Sequence, residues 1–171
     1  MERINIKNFQ DKIKEAAYCA VVFSSKDCPP CDFHKESIEK VTSMFPDVVF
    51  YEFYRDQINS KEILDKHRVK LIPRTIFFKD GVEVGRTLLE KTPQKIAFFV
   101  NQLMTQGRVI DPEDAEEICI LMDKVIAAKD WEITHDNFEE KSSQIREITE
   151  KVMEDVTDWP STSIEDIKRY V

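Results

Sequence analysis

The segment Asp27-Cys28-Pro29-Pro30-Cys31 carries a Cys-x-x-Cys pair between two stretches of different periodicity. The run over residues 18–23 is apolar and rich in β-branched side chains, which is typical of a strand buried on both faces. From Phe33 to Phe45 the apolar residues recur at helical spacing and predict one buried helix face. Cys28 is therefore predicted to lie where a strand passes into the N-terminus of a helix.

This position favours disulfide exchange. Unpaired N–H groups and the helix dipole stabilise a thiolate at a helix N-terminus, and the thiolate is the attacking species. We therefore predict that Cys28 attacks and that Cys31, one turn further on and more enclosed, resolves the mixed disulfide.

A zinc site is the alternative use of a Cys-x-x-Cys pair. It would need two more ligands, and Cys19, Cys119 and three histidines offer no second Cys-x-x-Cys and no His-x3-His. The sequence therefore predicts neither a metal site nor a bound cofactor, and the exchangeable cysteine pair itself is the redox group.

Composition and charge limit the classes of protein to which this chain can belong. The chain has 171 residues, 42% hydrophobic and 34% charged, and it has neither an apolar leader at its N-terminus nor a run of transmembrane length. Four cysteines in such a chain fit a reducing compartment, so we expect a cytoplasmic protein with no membrane role. Residues 1–110 hold 18 basic and 15 acidic residues (net +3), whereas residues 111–171 hold 7 and 18 (net −11), which argues against nucleic-acid binding by the second part.

The remaining patterns predict an alternation of strands and helices. Strand-like runs occupy residues 4–6, 18–23, 48–54, 76–78 and 82–86, and helix-start signals follow at Asn8, Ser60 and Thr92. Helical crossovers imply parallel strands, whereas Asp80-Gly81 between the last two runs predicts an antiparallel hairpin. The predicted order is βαβαβαββα, an α/β fold with a central mixed sheet flanked by helices.

Residues 1–106 resemble the thioredoxin family. The resemblance rests on Cys28-Pro29-Pro30-Cys31, on Ile72-Pro73 before a strand, and on the segment 77–81 before a last strand and a closing helix. It implies a thioredoxin-like fold and a cis peptide bond before Pro73, which would lie beside the dithiol while the backbone of Ile72 pairs with a substrate. Arg74 follows, either as a cation that stabilises Cys28 or selects acidic substrates, or as an exposed, salt-screened side chain.

The chain departs from the family pattern around the cysteines. Asp27 and Pro29 stand where the family usually has Trp and Gly, and Pro29 and Pro30 together remove two backbone donors. These changes should raise the pKa of Cys28 and make the pair more reducing. We therefore predict a reductant of protein disulfides.

Other departures concern the residues behind and beside the pair. Val22 stands where the family usually has a buried acid, with Glu52 or Lys26 as possible substitutes for that acid in proton transfer. Leu71 and Leu89 stand at positions that are often glycine, so the substrate groove should be narrower.

Side chains outside the motif receive structural predictions. His34 is predicted to be a solvated helix residue, with tuning of the dithiol as the alternative. Cys19 is predicted to be a buried strand thiol and Cys119 a thiol packed on a helix face.

The resemblance ends at Gly107, and residues 107–171 are predicted to form an acidic, all-helical extension of about three helices. Asp111-Pro112 starts a helix through about residue 129, and the apolar residues of this helix form one stripe: Ile118, Leu121, Met122, Val125 and Ile126. A second apolar stripe is formed by Phe138, Ile145, Ile148, Val152 and Val156, and a short helix follows Ser163. These stripes are predicted to pack against each other or against the thioredoxin-like residues 1–106. The alternative is that they form a surface that binds a partner.

Two functions remain open from the sequence. The first is a thiol–disulfide oxidoreductase that reduces protein disulfides and receives electrons from a thioredoxin reductase or a small thiol. The second is an interaction module whose acidic helices bind a protein partner, with a regulatory or vestigial dithiol.

Overall fold

The computed structural model describes residues 1–134, 136–156 and 159–171, which divide into two units, Met1–Pro112 and Glu113–Val171. The elements of the first unit are β1 (Glu2–Ile4), α1 (Phe9–Glu15), β2 (Tyr18–Ser24), α2 (Pro29–Thr42), β3 (Val48–Tyr54), α3 (Lys61–Lys66), β4 (Arg74–Lys79), β5 (Val82–Leu88) and α4 (Pro93–Gln106). This is the predicted order of strands and helices.

The sheet is mixed, with the strand order β1-β3-β2-β4-β5. Strands β1, β3 and β2 run parallel, whereas β4 is antiparallel to both β2 and β5. The predicted combination of parallel crossovers and a terminal hairpin is confirmed.

Strand β2 lies at the centre of the sheet and is covered on both sides. Cys19, Val21 and Phe23 belong to a core with α1 and α3, whereas Ala20 and Val22 belong to a second core with α2 and α4. Successive strand residues point to opposite faces, so a strand between two helix layers must be apolar at every position. This explains the uninterrupted apolar run that the sequence shows.

The buried face of helix α2 includes Ile38 and Val41, as the periodicity predicts, but not Phe33. Phe33 is 49% exposed, and the buried residues are Cys31, His34, Ser37, Ile38 and Val41. Counted from Cys31, these positions recur every three or four residues, so Cys31 rather than Phe33 defines the buried face. The helix also ends at Thr42, three residues before the predicted end at Phe45.

The boundary of the first unit lies beyond the predicted residue 106. Gly107, in the left-handed region at φ 67°, ends α4. The Val109 amide then donates to the Val84 carbonyl at 2.9 Å, and the Val109 side chain joins the core on the α2 and α4 side. The segment 107–112 therefore packs onto the sheet and belongs to the first unit.

The second unit has its own apolar core. Its helices are α5 (Pro112–Lys129), α6 (Phe138–Asp155) and α7 (Ile164–Ile167), with a 3-10 turn at Trp159–Ser161. The core side chains are Leu121, Val125, Ile145, Val152, Trp159 and Ile167. The stripes of α5 and α6 therefore bury each other, although Phe138 is 59% exposed.

Cys119 is exposed, contrary to the prediction of a packed thiol. Leu121 and Val125 of α5 face the core, and Cys119 lies about 200° around the helix from Leu121 at 100° per residue. No helix in the described parts of the chain combines the length and apolar character needed to cross a bilayer.

Candidate active site

Cys28 and Cys31 form a disulfide, with a Cα–Cα distance of 5.2 Å. Cys28 is the N-cap residue of α2 and is half-buried, whereas Cys31 is fully buried. The Asp32 amide donates to the Cys28 carbonyl at 3.1 Å and begins the helical hydrogen bonding. The sulfur predicted to attack is therefore the more accessible of the two.

The loop between β2 and the cysteine pair is held by an acid that follows β3. Asp56 accepts hydrogen bonds from the Ser25 hydroxyl at 2.6 Å and from the Lys26 amide at 2.8 Å. Asp27 then adopts φ 53°, a left-handed conformation that Asp tolerates better than most residues. Pro29 and Pro30 are exposed and form the first turn of α2, where they contribute no N–H groups.

The peptide bond between Ile72 and Pro73 is cis, as the resemblance implied. Pro73 is buried and directly precedes β4, while Ile72 is half-buried. Arg74 pairs with Phe23, near the C-terminal end of β2. Pro73 therefore lies at the end of the sheet from which the chain continues towards Cys28. The cis proline and the dithiol therefore lie at the same end of the sheet.

Arg74 is only 3% exposed, so of the two alternatives for this residue the exposed, salt-screened side chain is wrong. Its register partner Phe23 belongs to the core with α1 and α3, and side chains of paired strand residues lie on the same face. The side chain of Arg74 thus extends from the face of the sheet opposite to α2.

A row of side chains crosses the sheet under the first turns of α2. Val22 pairs with Glu52 on one side and with Thr75 on the other. Val22 belongs to the core beneath α2 and Glu52 is 6% exposed, so the acid that is missing at residue 22 has a buried counterpart on the adjacent strand. Lys26, the other predicted substitute, is exposed.

Glu52 is surrounded by donors. Its carboxylate accepts from the Ser24 hydroxyl at 3.0 Å and forms ion pairs with Lys35 at 3.1 Å and with Arg3 at 3.3 Å. Burial opposes the charge of Lys35, but hydrogen bonds to Glu52 and Asp32 raise the pKa of Lys35 above its usual value. The ion pair between Lys35 and Glu52 thus joins α2 to β3, one helical turn after Cys31.

His34 is 1% exposed, so the predicted solvated histidine is wrong. Its Nε2 lies 2.7 Å from Thr75 Oγ1, and its Nδ1 accepts from the Lys91 amide at 3.0 Å. An accepting Nδ1 leaves the proton on Nε2, which donates to Thr75. The signal was present in the sequence, because Cys31, His34 and Ile38 share one helix face.

His34 connects the three segments around the cysteines. It lies on α2, it contacts Thr75 two residues after the cis proline, and it accepts from the loop that follows β5. Burial, followed by the positive charge of Lys91, lowers the pKa of His34 to about 4. The Lys91 ammonium is itself paired with Asp111 at 3.1 Å.

We expect His34 to make stability fall in mild acid. Since its pKa is about 4 in the folded state and 6.5 in the unfolded state, the unfolded state binds the extra proton and stability is lost as pH falls from about 6.5 to 4. The full loss is about 3 kcal/mol, of which about 2 kcal/mol falls between pH 7 and pH 5. Urea unfolding followed by NMR signals of β2 should show this decrease, and His34→Gln should reduce it by that amount.

The same histidine can be observed directly. In the folded protein the ring protons of His34 should titrate near pH 4 rather than near pH 6.5. A midpoint near 6.5, or an unchanged pH dependence in His34→Gln, would contradict the buried neutral ring. Met44→Ala, at a 62% exposed position, serves as the control that should keep the wild-type pH dependence.

Within the described residues, no three His, Cys, Asp or Glu side chains are grouped so that they could hold a metal ion. Cys19 is buried, as predicted, and burial raises the pKa of its thiol to about 12.

A family model described as Thioredoxin matches residues 1–102. The chain belongs to the thioredoxin family. The thioredoxin match covers the sheet, the cysteine pair and the cis proline, whereas residues 113–171 lie outside it.

Individual thioredoxins give the same result. A thioredoxin H-type from Oryza sativa subsp. indica is 31% identical over 45% of this chain and 62% of its own length, slightly under two thirds. Thioredoxin-1 from Saccharomyces cerevisiae is 28% identical over 47% of this chain and 76% of its own length. Among solved structures, the oxidized form of mitochondrial thioredoxin 3 from S. cerevisiae superposes with a TM-score of 0.55 at 23% identity, covering 60% of this chain and 95% of that one.

A thioredoxin from Plasmodium falciparum also gives a TM-score of 0.55, at 17% identity, and covers 60% of this chain and 98% of that one. At these identities the superpositions establish the thioredoxin fold of the first unit.

Proposed function

We propose that this protein is a thiol–disulfide oxidoreductase that reduces protein disulfides through Cys28 and Cys31. The observation that carries the proposal is the asymmetry of the pair: Cys28 is half-buried at the N-terminus of α2, Cys31 is fully buried, and the two are close enough to form a disulfide. The family of the first unit supports the same chemistry.

The proposed reaction moves two electrons. The Cys28 thiolate attacks one sulfur of the substrate disulfide, and the other substrate sulfur leaves as a thiolate that takes up a proton. The Cys31 thiol then loses its proton and attacks Cys28 Sγ, which releases the second substrate sulfur as a thiol and closes the Cys28–Cys31 disulfide. An external reductase of the thioredoxin reductase type or a small thiol returns two electrons and two protons.

The substrate contacts belong to the same proposal. Pro73 lies at the end of the sheet where β2 leads to the cysteines, and the backbone of Ile72 would pair with an extended substrate segment. Arg74 lies buried next to this loop and would shape it from the other face of the sheet.

The first turn of α2 supports the proposed reducing direction. Pro29 and Pro30 have no N–H groups, and Asp27 adds a carboxylate beside Cys28. Both features destabilise a thiolate on Cys28 and hence the reduced form, so the pair should donate electrons readily. A reductant of this kind suits a reducing compartment such as the cytoplasm.

The test is a redox titration of the full chain in graded thiol–disulfide buffers, with thiol trapping and mass measurement of the Cys28–Cys31 pair. We expect a two-electron transition near about −270 mV, whereas an oxidant or isomerase would show one near about −120 to −180 mV. The variant Cys119→Ser should give the same potential, because Cys119 is in the other unit.

A second function is favoured by one observation. The helices of residues 113–171 form a unit with its own core, in the part of the chain whose net charge is −11 over residues 111–171. Such a unit would bind a basic protein partner. If the pair does not exchange electrons at any buffer composition, this interaction function replaces the enzymatic one.

A further inference from the structure

Leu89 combines two features that are each unfavourable for a leucine. Its backbone has φ 59°, in the left-handed region where the Cβ atom of an L-residue meets the following carbonyl oxygen. Its side chain is 43% exposed. Among the described residues, the other non-glycine positions with positive φ are Asp27, Asn59, Arg68, Asp80 and Asp130, so Leu89 is the aliphatic one. A steric cost and an exposed apolar group at one residue point to a role outside folding.

The strand register locates Leu89 beside the cis proline. Leu88 pairs with Arg74 in the antiparallel pair of β4 and β5, so the next residues outward, Leu89 and Pro73, lie opposite each other. Arg74 in turn pairs with Phe23, from which the chain continues to Cys28. Leu89 therefore lies at the end of the sheet where the chain passes from β2 to the disulfide.

The loop that carries Leu89 is fixed on both sides. Before it, the Leu88 amide donates to the Asp111 carboxylate at 3.3 Å. After it, the Lys91 amide donates to the ring of His34, one helical turn beyond Cys31, at 3.0 Å. An exposed side chain on a loop held in this way has a defined position relative to α2 and Pro73.

We propose that Leu89 is a specificity-determining residue, whose side chain contacts the substrate and favours protein disulfides with an apolar residue next to the attacked cysteine. This inference rests on the proposed oxidoreductase function. An apolar neighbour in the substrate removes the Leu89 side chain from water, together with that of half-buried Ile72. A charged neighbour would lose water against these side chains without gaining a partner, so such a substrate binds less well.

The experiment compares two disulfide peptides that differ only in having Leu or Asp beside the cysteine. Reduction by the full chain is measured as kcat/KM with a small dithiol as electron donor, and oxidised glutathione serves as a reference substrate that has no apolar side chain beside its cysteine. We expect the wild-type protein to prefer the Leu peptide by roughly tenfold. Leu89→Gly should bring the preference close to one.

Leu89→Gly is chosen because glycine adopts φ 59° without the steric cost, so the fold should be retained and the urea midpoint should not fall. The control is Met44→Ala, which removes a 62% exposed apolar side chain just after the C-terminal end of α2 and should keep the wild-type preference. Equal preference in wild type and Leu89→Gly, with glutathione still reduced, overturns the role of Leu89 and leaves the proposed function standing. Reduction of neither peptide nor glutathione by the wild type overturns the proposed function, and this inference with it.

Discussion

Replacing Cys28 with serine is expected to lower kcat/KM for a protein disulfide by on the order of a thousandfold or more, as removal of a nucleophile does in other enzymes. A serine hydroxyl stays protonated at neutral pH and cannot form the mixed disulfide, whereas Cys28 is the half-buried sulfur at the start of α2. The measurement is the initial rate of disulfide reduction with an excess of small dithiol.

The variant Cys31→Ser should behave differently. Its Cys28 can still attack, but the buried resolving sulfur is absent, so a covalent mixed disulfide with the substrate should accumulate and be detectable by mass. Cys119→Ser removes an exposed thiol of the second unit and should retain wild-type activity. If Cys28→Ser remained active while Cys31→Ser did not, the assignment of attacking and resolving sulfurs would be reversed.

Replacing Asp111 with alanine is expected to destabilise the first unit by about 3 to 5 kcal/mol, the usual cost of breaking a buried ion pair. The Lys91 ammonium and the Asp111 carboxylate lie 3.1 Å apart, and both side chains are 2% exposed. The variant leaves a buried ammonium without this carboxylate, and the Leu88 amide also loses its acceptor.

Amide hydrogen exchange in β2 is the suitable measurement. Both tryptophans, Trp131 and Trp159, lie in the second unit, so their fluorescence would report that unit instead. Exchange through unfolding of the first unit should accelerate by on the order of a hundredfold or more, since each 1.4 kcal/mol is a factor of ten.

Two further variants show whether the effect comes from the buried pair. The double substitution of Lys91→Met with Asp111→Leu should recover most of the loss, because both charges are removed together. Asp65→Ala removes the carboxylate of an exposed ion pair with Lys61 and should change exchange very little. Unchanged exchange in Asp111→Ala would contradict a stabilising role for the Lys91–Asp111 pair.

Much of the fold was predictable because its signals are local. The apolar run of β2, the Asp80-Gly81 turn and the Thr92 cap each specify one element, and the Thr92 hydroxyl does accept from the Lys95 amide. The cysteine pair was predictable for the same reason, since a three-residue separation at a helix start is visible in the chain itself.

The residues behind the cysteines were harder to predict. His34 is buried because it shares the buried face of α2 with Cys31, whereas the apolar spacing that begins at Phe33 does not mark that position. The sequence marks Glu52 and Lys26 equally as substitutes for the missing acid. The burial of Glu52 depends on Lys35 and Arg3, which come from a different helix and a different strand.

Local sequence patterns specify the order of the elements, the cysteine pair at the start of α2 and the separate acidic helices, because periodicity, capping and spacing act within a few residues. Three-dimensional packing determined which polar side chains are buried and paired: His34 with Thr75, Glu52 with Lys35, and Lys91 with Asp111. It also decided that Leu89 lies exposed opposite Pro73. The physical reason is that a buried polar group needs a partner, and in each of these pairs the partner is at least 17 residues away in the chain.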